Sequence, residues 1–65
     1  MRVLVVGSGA REHAFCHALT RDLGPGAVRC APGNAGIAAT TPCLAVDPAD
    51  PAAVHALIER ERIDF

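Results

Sequence analysis

Apolar residues change their spacing along this chain, and the changes mark out its elements. Arg2 to Val6, RVLVV, is a short continuous apolar run closed by Gly7, the pattern of a strand covered on both faces as in a parallel sheet. From Ala10 to Leu23 the repeat becomes three and four. It puts Ala14, Ala18 and Leu19 on one side of a helix with Phe15 beside them, and leaves His17, Thr20 and Arg21 largely outside. Gly24-Pro25-Gly26 ends that helix, and residues 27–31, AVRCA, form a second and weaker strand.

PGNAG at 32–36 is too rich in turn formers to continue this strand. After a loose stretch through Thr40, Thr41 and Pro42, CLAVD at 43–47 gives a third short strand. Asp50-Pro51 then reads as an N-cap with proline at the first helical position. Ala53, Val54, Leu57 and Ile58 are the packed stripe of a helix ending near Glu61 or Arg62. IDF at 63–65 begins a fourth strand that stops short, as it would in the amino-terminal piece of a longer protein. Strands alternating with helices predict an α/β fold, a parallel Rossmann-like sheet with right-handed crossovers.

Composition narrows the function. Half of the 65 residues are apolar and the net charge is -1, which fits a globular chain. A chain of this size buries only roughly 60% of its unfolded surface, so packing barely outweighs the entropy of ordering it. Its six arginines, with no lysine, form no run, and Phe15 and Phe65 are its only aromatics. These features predict no nucleic-acid partner. The start of the chain is too short in apolar residues for a signal-peptide core or a membrane span, so no membrane partner is expected and the cytoplasm follows. Cys16, Cys30 and Cys43, spaced 14 and 13 apart, fit neither a disulfide framework nor a paired metal motif and read as buried thiols of a reducing compartment.

The candidate chemistry lies in two strings. In VVGSGAREH, at 5–13, Gly7 and Gly9 permit a tight turn, and the free N–H groups of the following helix face an anion. Ala10 follows, and Arg11 adds a guanidinium fork suited to phosphate or carboxylate. Glu12 stands at the third helical position, where its carboxylate either caps the helix or binds hydroxyls or an amine of a ligand. A dinucleotide fingerprint would carry a third glycine where Glu12 stands and an acid after the second strand. The chain has Arg29-Cys30-Ala31 there, which weakens a NAD- or FAD-dependent oxidoreductase. His13 and His17 with Cys16 lack a fourth ligand for zinc; His13 is expected to hold a loop by a hydrogen bond, and His17 and His55 to be solvated. In APGNAG, at 31–36, Pro32 limits the exit direction of the second strand, Gly33 or Asn34 can take a positive φ, and Gly36 permits close backbone approach. In a parallel sheet both strings lie on one rim. A non-catalytic α/β module with two plain turns is the remaining alternative.

VLVVGSGAREHA at 3–14, APGNAG at 31–36 and the weaker IDF at 63–65 together resemble the amino terminus of the phosphoribosylamine-glycine ligases, the glycinamide ribonucleotide synthetases of purine biosynthesis. Members usually have a second consecutive glycine before Arg-Glu-His, where this chain has Ala10. Related ATP-grasp carboxylases begin with similar folds but usually lack that string. The resemblance implies that residues 1–65 are a partial amino-terminal α/β domain preceding an ATP-grasp module that is absent from this chain. It further implies an enzyme that joins glycine to 5-phosphoribosylamine with ATP and Mg or Mn through a glycyl phosphate, the nucleotide and metal residues lying outside the fragment. On this view the fragment alone is inactive, no catalytic residue lies in it, and it forms the phosphoribosylamine side of the cleft. The substrate-binding candidates are Gly7, Gly9, Ala10, Arg11, Glu12, Gly33 and Asn34, supported by His13, Pro32 and Gly36.

Overall fold

The computed structural model describes residues 1–24 and 26–65. Strand β1, Val3–Gly7, leads through a glycine turn into helix α1, Ala10–Leu23, and then into strand β2, Val28–Pro32. A four-residue helix α2, Ala35–Ala38, and a ten-residue helix α3, Pro51–Arg60, follow. β1 and β2 are parallel, in register from Val3 against Val28 to Gly7 against Pro32. The α/β class and the parallel sheet follow the apolar runs, and the bounds of α1 coincide with the three-and-four repeat. Gly24 ends that helix, its N–H bonded to Thr20 O at 2.9 Å. Pro25, the middle of the predicted stop, lies outside the described residues.

The predicted third strand is reduced to one parallel bridge between Cys43 and Cys30, with Cys30 N–H on Pro42 O at 2.9 Å and Leu44 N–H on Cys30 O at 2.8 Å. The next donor on that edge of β2 belongs to Pro32, which has no N–H, so the ladder cannot continue. On the other side, residues 63–65 form no strand of their own. They still make parallel-pattern bonds around Val3: Phe65 N–H to Arg2 O and Leu4 N–H to Phe65 O, both at 3.2 Å. Along the sheet the order is therefore Cys43, β2, β1, Phe65, which reverses direction at β1 as in doubly wound folds.

Cys16, Val28, Cys30 and Ile37 form the buried core, with Val5, Leu19, Ala27 and Cys43 packed against it. This corrects the inward face expected for α1. Cys16 is its one buried residue, Leu19 is half-buried, and Ala14 and Phe15 are exposed, Phe15 at 55%. The helix is rotated so that its small thiol, rather than the phenyl ring, meets the closely approaching strands. On the opposite face of the sheet, Arg29 Nε and Arg2 Nη2 both reach Glu61 Oε1, at 3.5 and 3.7 Å, and place the end of α3 there. Leu57 is the buried member of the α3 stripe, Ala53 and Val54 are half-buried, and Ile58 lies at the exposed edge.

Both ends of α3 follow from local chemistry. Asp50 Oδ1 accepts from Ala52 N–H at 3.1 Å and Ala53 N–H at 3.2 Å, with Pro51 in the first turn. At the other end, Arg62 N–H bonds to Glu59 O at 3.2 Å and Ile63 N–H to Ile58 O at 3.0 Å, the bond pattern of a Schellman stop. Arg62 takes the left-handed position of that stop, φ 54°, where glycine is the usual residue.

Two stability changes follow. Asp50→Ala removes the acceptor of two helix-end amides and lowers unfolding stability by about 1 kcal/mol. Arg62→Gly relieves a left-handed side-chain residue and raises it by about 0.5–1 kcal/mol. Denaturant midpoints at unchanged slope measure both, and a midpoint for Arg62→Gly at or below that of the parent overturns the second.

Candidate functional site

The carboxyl ends of β1 and β2 each run into a glycine-bearing loop, and the two loops are bonded to each other. Gly33 N–H donates to Gly7 O at 3.0 Å and continues the parallel ladder beyond the strands. Asn34 Nδ2 donates to Ser8 O at 2.6 Å, while Asn34 Oδ1 accepts Ile37 N–H at 2.9 Å and caps α2. One side-chain amide thus fixes the first loop and starts a helix. α2 was not foreseen from PGNAG, because its N-cap is itself held by a residue 26 positions away.

Glycine is required at two places here. Gly33 has φ 73°, and a Cβ on it would strike the Cys43 sulfur. Gly7 has φ 144°, and its missing side chain leaves the space taken by the Glu12 side chain. Glu12 folds back over the turn and accepts Gly9 N–H through Oε2 at 3.0 Å. Of the two roles open to Glu12, helix capping is the one formed in the structure.

The first intrahelical bond of α1 joins His13 N–H to Gly9 O at 3.1 Å. The N–H groups of Ala10, Arg11 and Glu12 thus lie in the first turn, where a helix supplies no acceptor for them. Arg11 is exposed and enters none of the ion pairs among the described residues, which engage Arg2, Arg21, Arg29 and Arg60. Helix amides without an internal acceptor and a guanidinium in the same first turn are groups that can bind an anion.

The supporting residues take different parts from those expected. His13 makes no side-chain hydrogen bond among the described residues. Its ring lies against Gly36 instead, where a Cβ would meet His13 Cε1 at 3.5 Å and Asn34 Oδ1 at 3.3 Å. Pro32 closes β2 opposite Gly7, after a cis Ala31-Pro32 bond. His17 is exposed as expected, and His55 is exposed with Nε2 3.0 Å from Glu59 Oε1. An open hollow lined by Ala10, His13, Ala14 and His17 runs along the outer side of α1 and meets the candidate site only at its first turn.

Sequence reasoning overlooked the layer below the loops. Cys30 Sγ donates to Gly7 O at 3.5 Å, and Cys43 Sγ lies 3.9 Å from Asn34 O and 3.5 Å from Thr41 O. Burial, reinforced by the neighbouring thiols Cys16 and Cys43, pushes the Cys30 thiol up to about 12, and burial raises Cys16 as well. Both are held as protonated groups. Cysteines so far apart in sequence carry no local signal of convergence beneath one loop. No group of three or more His, Cys, Asp and Glu able to hold a metal ion occurs among the described residues. Nor is any of their helices long and apolar enough to cross a membrane.

Comparison with known proteins gives a consistent result. The family model described as "Phosphoribosylglycinamide synthetase, N domain" matches residues 1–65. The phosphoribosylamine-glycine ligase of Streptomyces coelicolor is 55% identical over 60 residues, covering 92% of this chain and 14% of that protein. Those of Mycobacterium leprae and Agrobacterium fabrum are 47% and 42% identical over 65 residues, covering 100% of this chain and 15% of each protein. The chain therefore spans about 15% of the length of these relatives. No solved structure matches. With the family model matching in a single span from residue 1 to 65, the chain belongs to the phosphoribosylglycinamide synthetase N-domain family.

Proposed function

We propose that this chain is the phosphoribosylamine-side domain of an ATP-dependent ligase that joins glycine to 5-phosphoribosylamine in purine biosynthesis. The observation that carries the reading is the bonding of the two loops to each other, Gly33 to Gly7 and Asn34 to Ser8, next to a helix start whose exposed Arg11 enters no ion pair among the described residues. In this reading the substrate phosphate rests over the Gly7-Ser8-Gly9 turn. The amides of Ala10, Arg11 and Glu12 and the Arg11 guanidinium hold it. Gly33 and Asn34 form the opposing rim and keep the turn in shape, so the anion meets a preformed cradle rather than one it must order.

Glu12 acts from beneath the ligand. Its carboxylate accepts Gly9 N–H at 3.0 Å, a bond that offsets part of its negative charge and leaves the Arg11 guanidinium to balance the rest. In this reading ATP with Mg or Mn belongs to an ATP-grasp region outside this chain. Bound there, they would supply phosphoryl transfer to the glycine carboxyl group. This chain contributes placement of the ribosyl amine, and a cytoplasmic location accords with its substrates. A NAD- or FAD-dependent oxidoreductase is not favoured. Glu12 fills the place of the third glycine, and β2 ends at Ala31-Pro32 with no acid to bind a ribose.

Steady-state kinetics of the complete polypeptide, with ATP and glycine saturating, test the reading. Arg11→Ala loses a charged hydrogen bond of roughly 1.5–3 kcal/mol, so the KM for phosphoribosylamine rises about 10- to 150-fold. An unchanged KM in a folded Arg11→Ala protein removes the arginine from the site. Glu12→Gln keeps an acceptor for Gly9 N–H, whereas Glu12→Ala does not. The alanine variant therefore loses about 1 kcal/mol more unfolding stability. Equal thermal losses in the two variants would show that the cap is not what Glu12 supplies.

A further inference from the structure

Three thiols from three separate parts of the chain meet below the loops: Cys16 of α1, Cys30 of β2 and Cys43 of the bridge. Cys30 and Cys43 are register partners on neighbouring parallel segments, which sets their Cα atoms roughly 4.8 Å apart. That separation lies within the span of roughly 4.4–6.8 Å found for disulfide-linked residues. Both side chains enter the same core cluster. They also border one small volume, for a Cβ on Gly33 would strike the Cys43 sulfur and lie 3.7 Å from Cys30 Cβ. We propose that Cys30 and Cys43 are an oxidation site, converted by hydrogen peroxide to a disulfide directly beneath the loops of the candidate site.

The two cysteines take unequal parts. Cys43 is half-buried and the more accessible of the two, whereas Cys30 is fully buried. Burial and the adjacent thiols push Cys30 up to about 12, which keeps it protonated and out of direct reaction with peroxide. The Cys43 sulfur, as thiolate, attacks one peroxide oxygen and the O–O bond breaks. This yields a sulfenic acid and a hydroxide that takes up the Cys43 proton and leaves as water. Cys30 then attacks the Cys43 sulfur as its own proton passes to the sulfenic oxygen, the S–O bond breaks, and that oxygen leaves as a second water. Two thiols lose two electrons and two protons, and one hydrogen peroxide becomes two waters.

The product changes the loop above it. The Cys43 sulfur is drawn off Gly33 toward Cys30, and the thiol donor to Gly7 O is lost. The donors to Asn34 O and Thr41 O go with it. Gly33 N–H, which ties the two loops, is left with less packing beneath it. None of this depends on which ligand the loops hold.

The test is peroxide treatment of the complete polypeptide, followed by peptide mapping and amide hydrogen exchange. A linked Cys30–Cys43 peptide two hydrogens lighter than its parts is expected, together with Gly33 exchange about tenfold faster and restored by dithiothreitol. Cys16→Ala keeps the link, and Cys30→Ala leaves Cys43 as a sulfenic acid that dimedone traps. Three cysteines still free after treatment, a link through Cys16, or Gly33 exchange unchanged in the linked protein each overturns the proposal.

Discussion

The hydrogen bond from Gly33 N–H to Gly7 O, 3.0 Å long, is the constraint from which the functional end of this molecule follows. It carries the parallel ladder one step beyond β1 and β2, into segments where the chain has already begun to turn. With that step made, Asn34 is brought to Ser8 and α2 can begin. Gly7 is held in a conformation open enough for Glu12 to lie across it. A side chain on Gly33 would displace the Cys43 sulfur, so the same position that ties the rim together is also the one with least room beneath it. Shape at the rim and packing in the core are therefore set by one residue.

Much of the fold was legible because it is governed by neighbours in sequence. The apolar run of β1, the repeat of α1 and the Asp50-Pro51 start of α3 each depend on residues a few positions apart, and all appear where their patterns place them. The misreadings occur where a distant partner decides. Cys16 rather than Phe15 faces the core because the two strands leave room for a thiol there, which helical periodicity does not reveal. CLAVD has the composition of a strand, but a strand needs an edge with donors, and Pro32 withholds one. α2 depends on an asparagine fixed by Ser8.

The candidate site divides in the same way. That the glycine turn, Arg11, Glu12, Gly33 and Asn34 share a rim could be inferred from the parallel sheet alone, and the structure bonds Gly33 to Gly7, Asn34 to Ser8 and Glu12 to Gly9. The division of labour among them could not. Glu12 had two chemically reasonable partners, and its bond to Gly9 N–H is formed by the chain itself. The string APGNAG offers Asn34 as a ligand contact, yet both ends of its amide are occupied by the protein. Competition for hydrogen-bond partners decides such roles, and that competition exists only once the backbone is placed.

The bonds between Arg2 and residues 64 and 65 also bear on the order in which the molecule can assemble. β1 closes against β2 through contacts about 25 residues apart in sequence, whereas its other edge waits for partners 62 residues further on. Loop closure over the longer span costs more entropy, so the βαβ unit has the advantage in the race to form. On a ribosome the contrast is sharper, since β2 emerges before Asp64 does. Throughout that interval the nascent protein exposes one unsatisfied edge of its first strand, and Arg2, at the start of that edge, gives it a charge that discourages pairing with a second nascent chain.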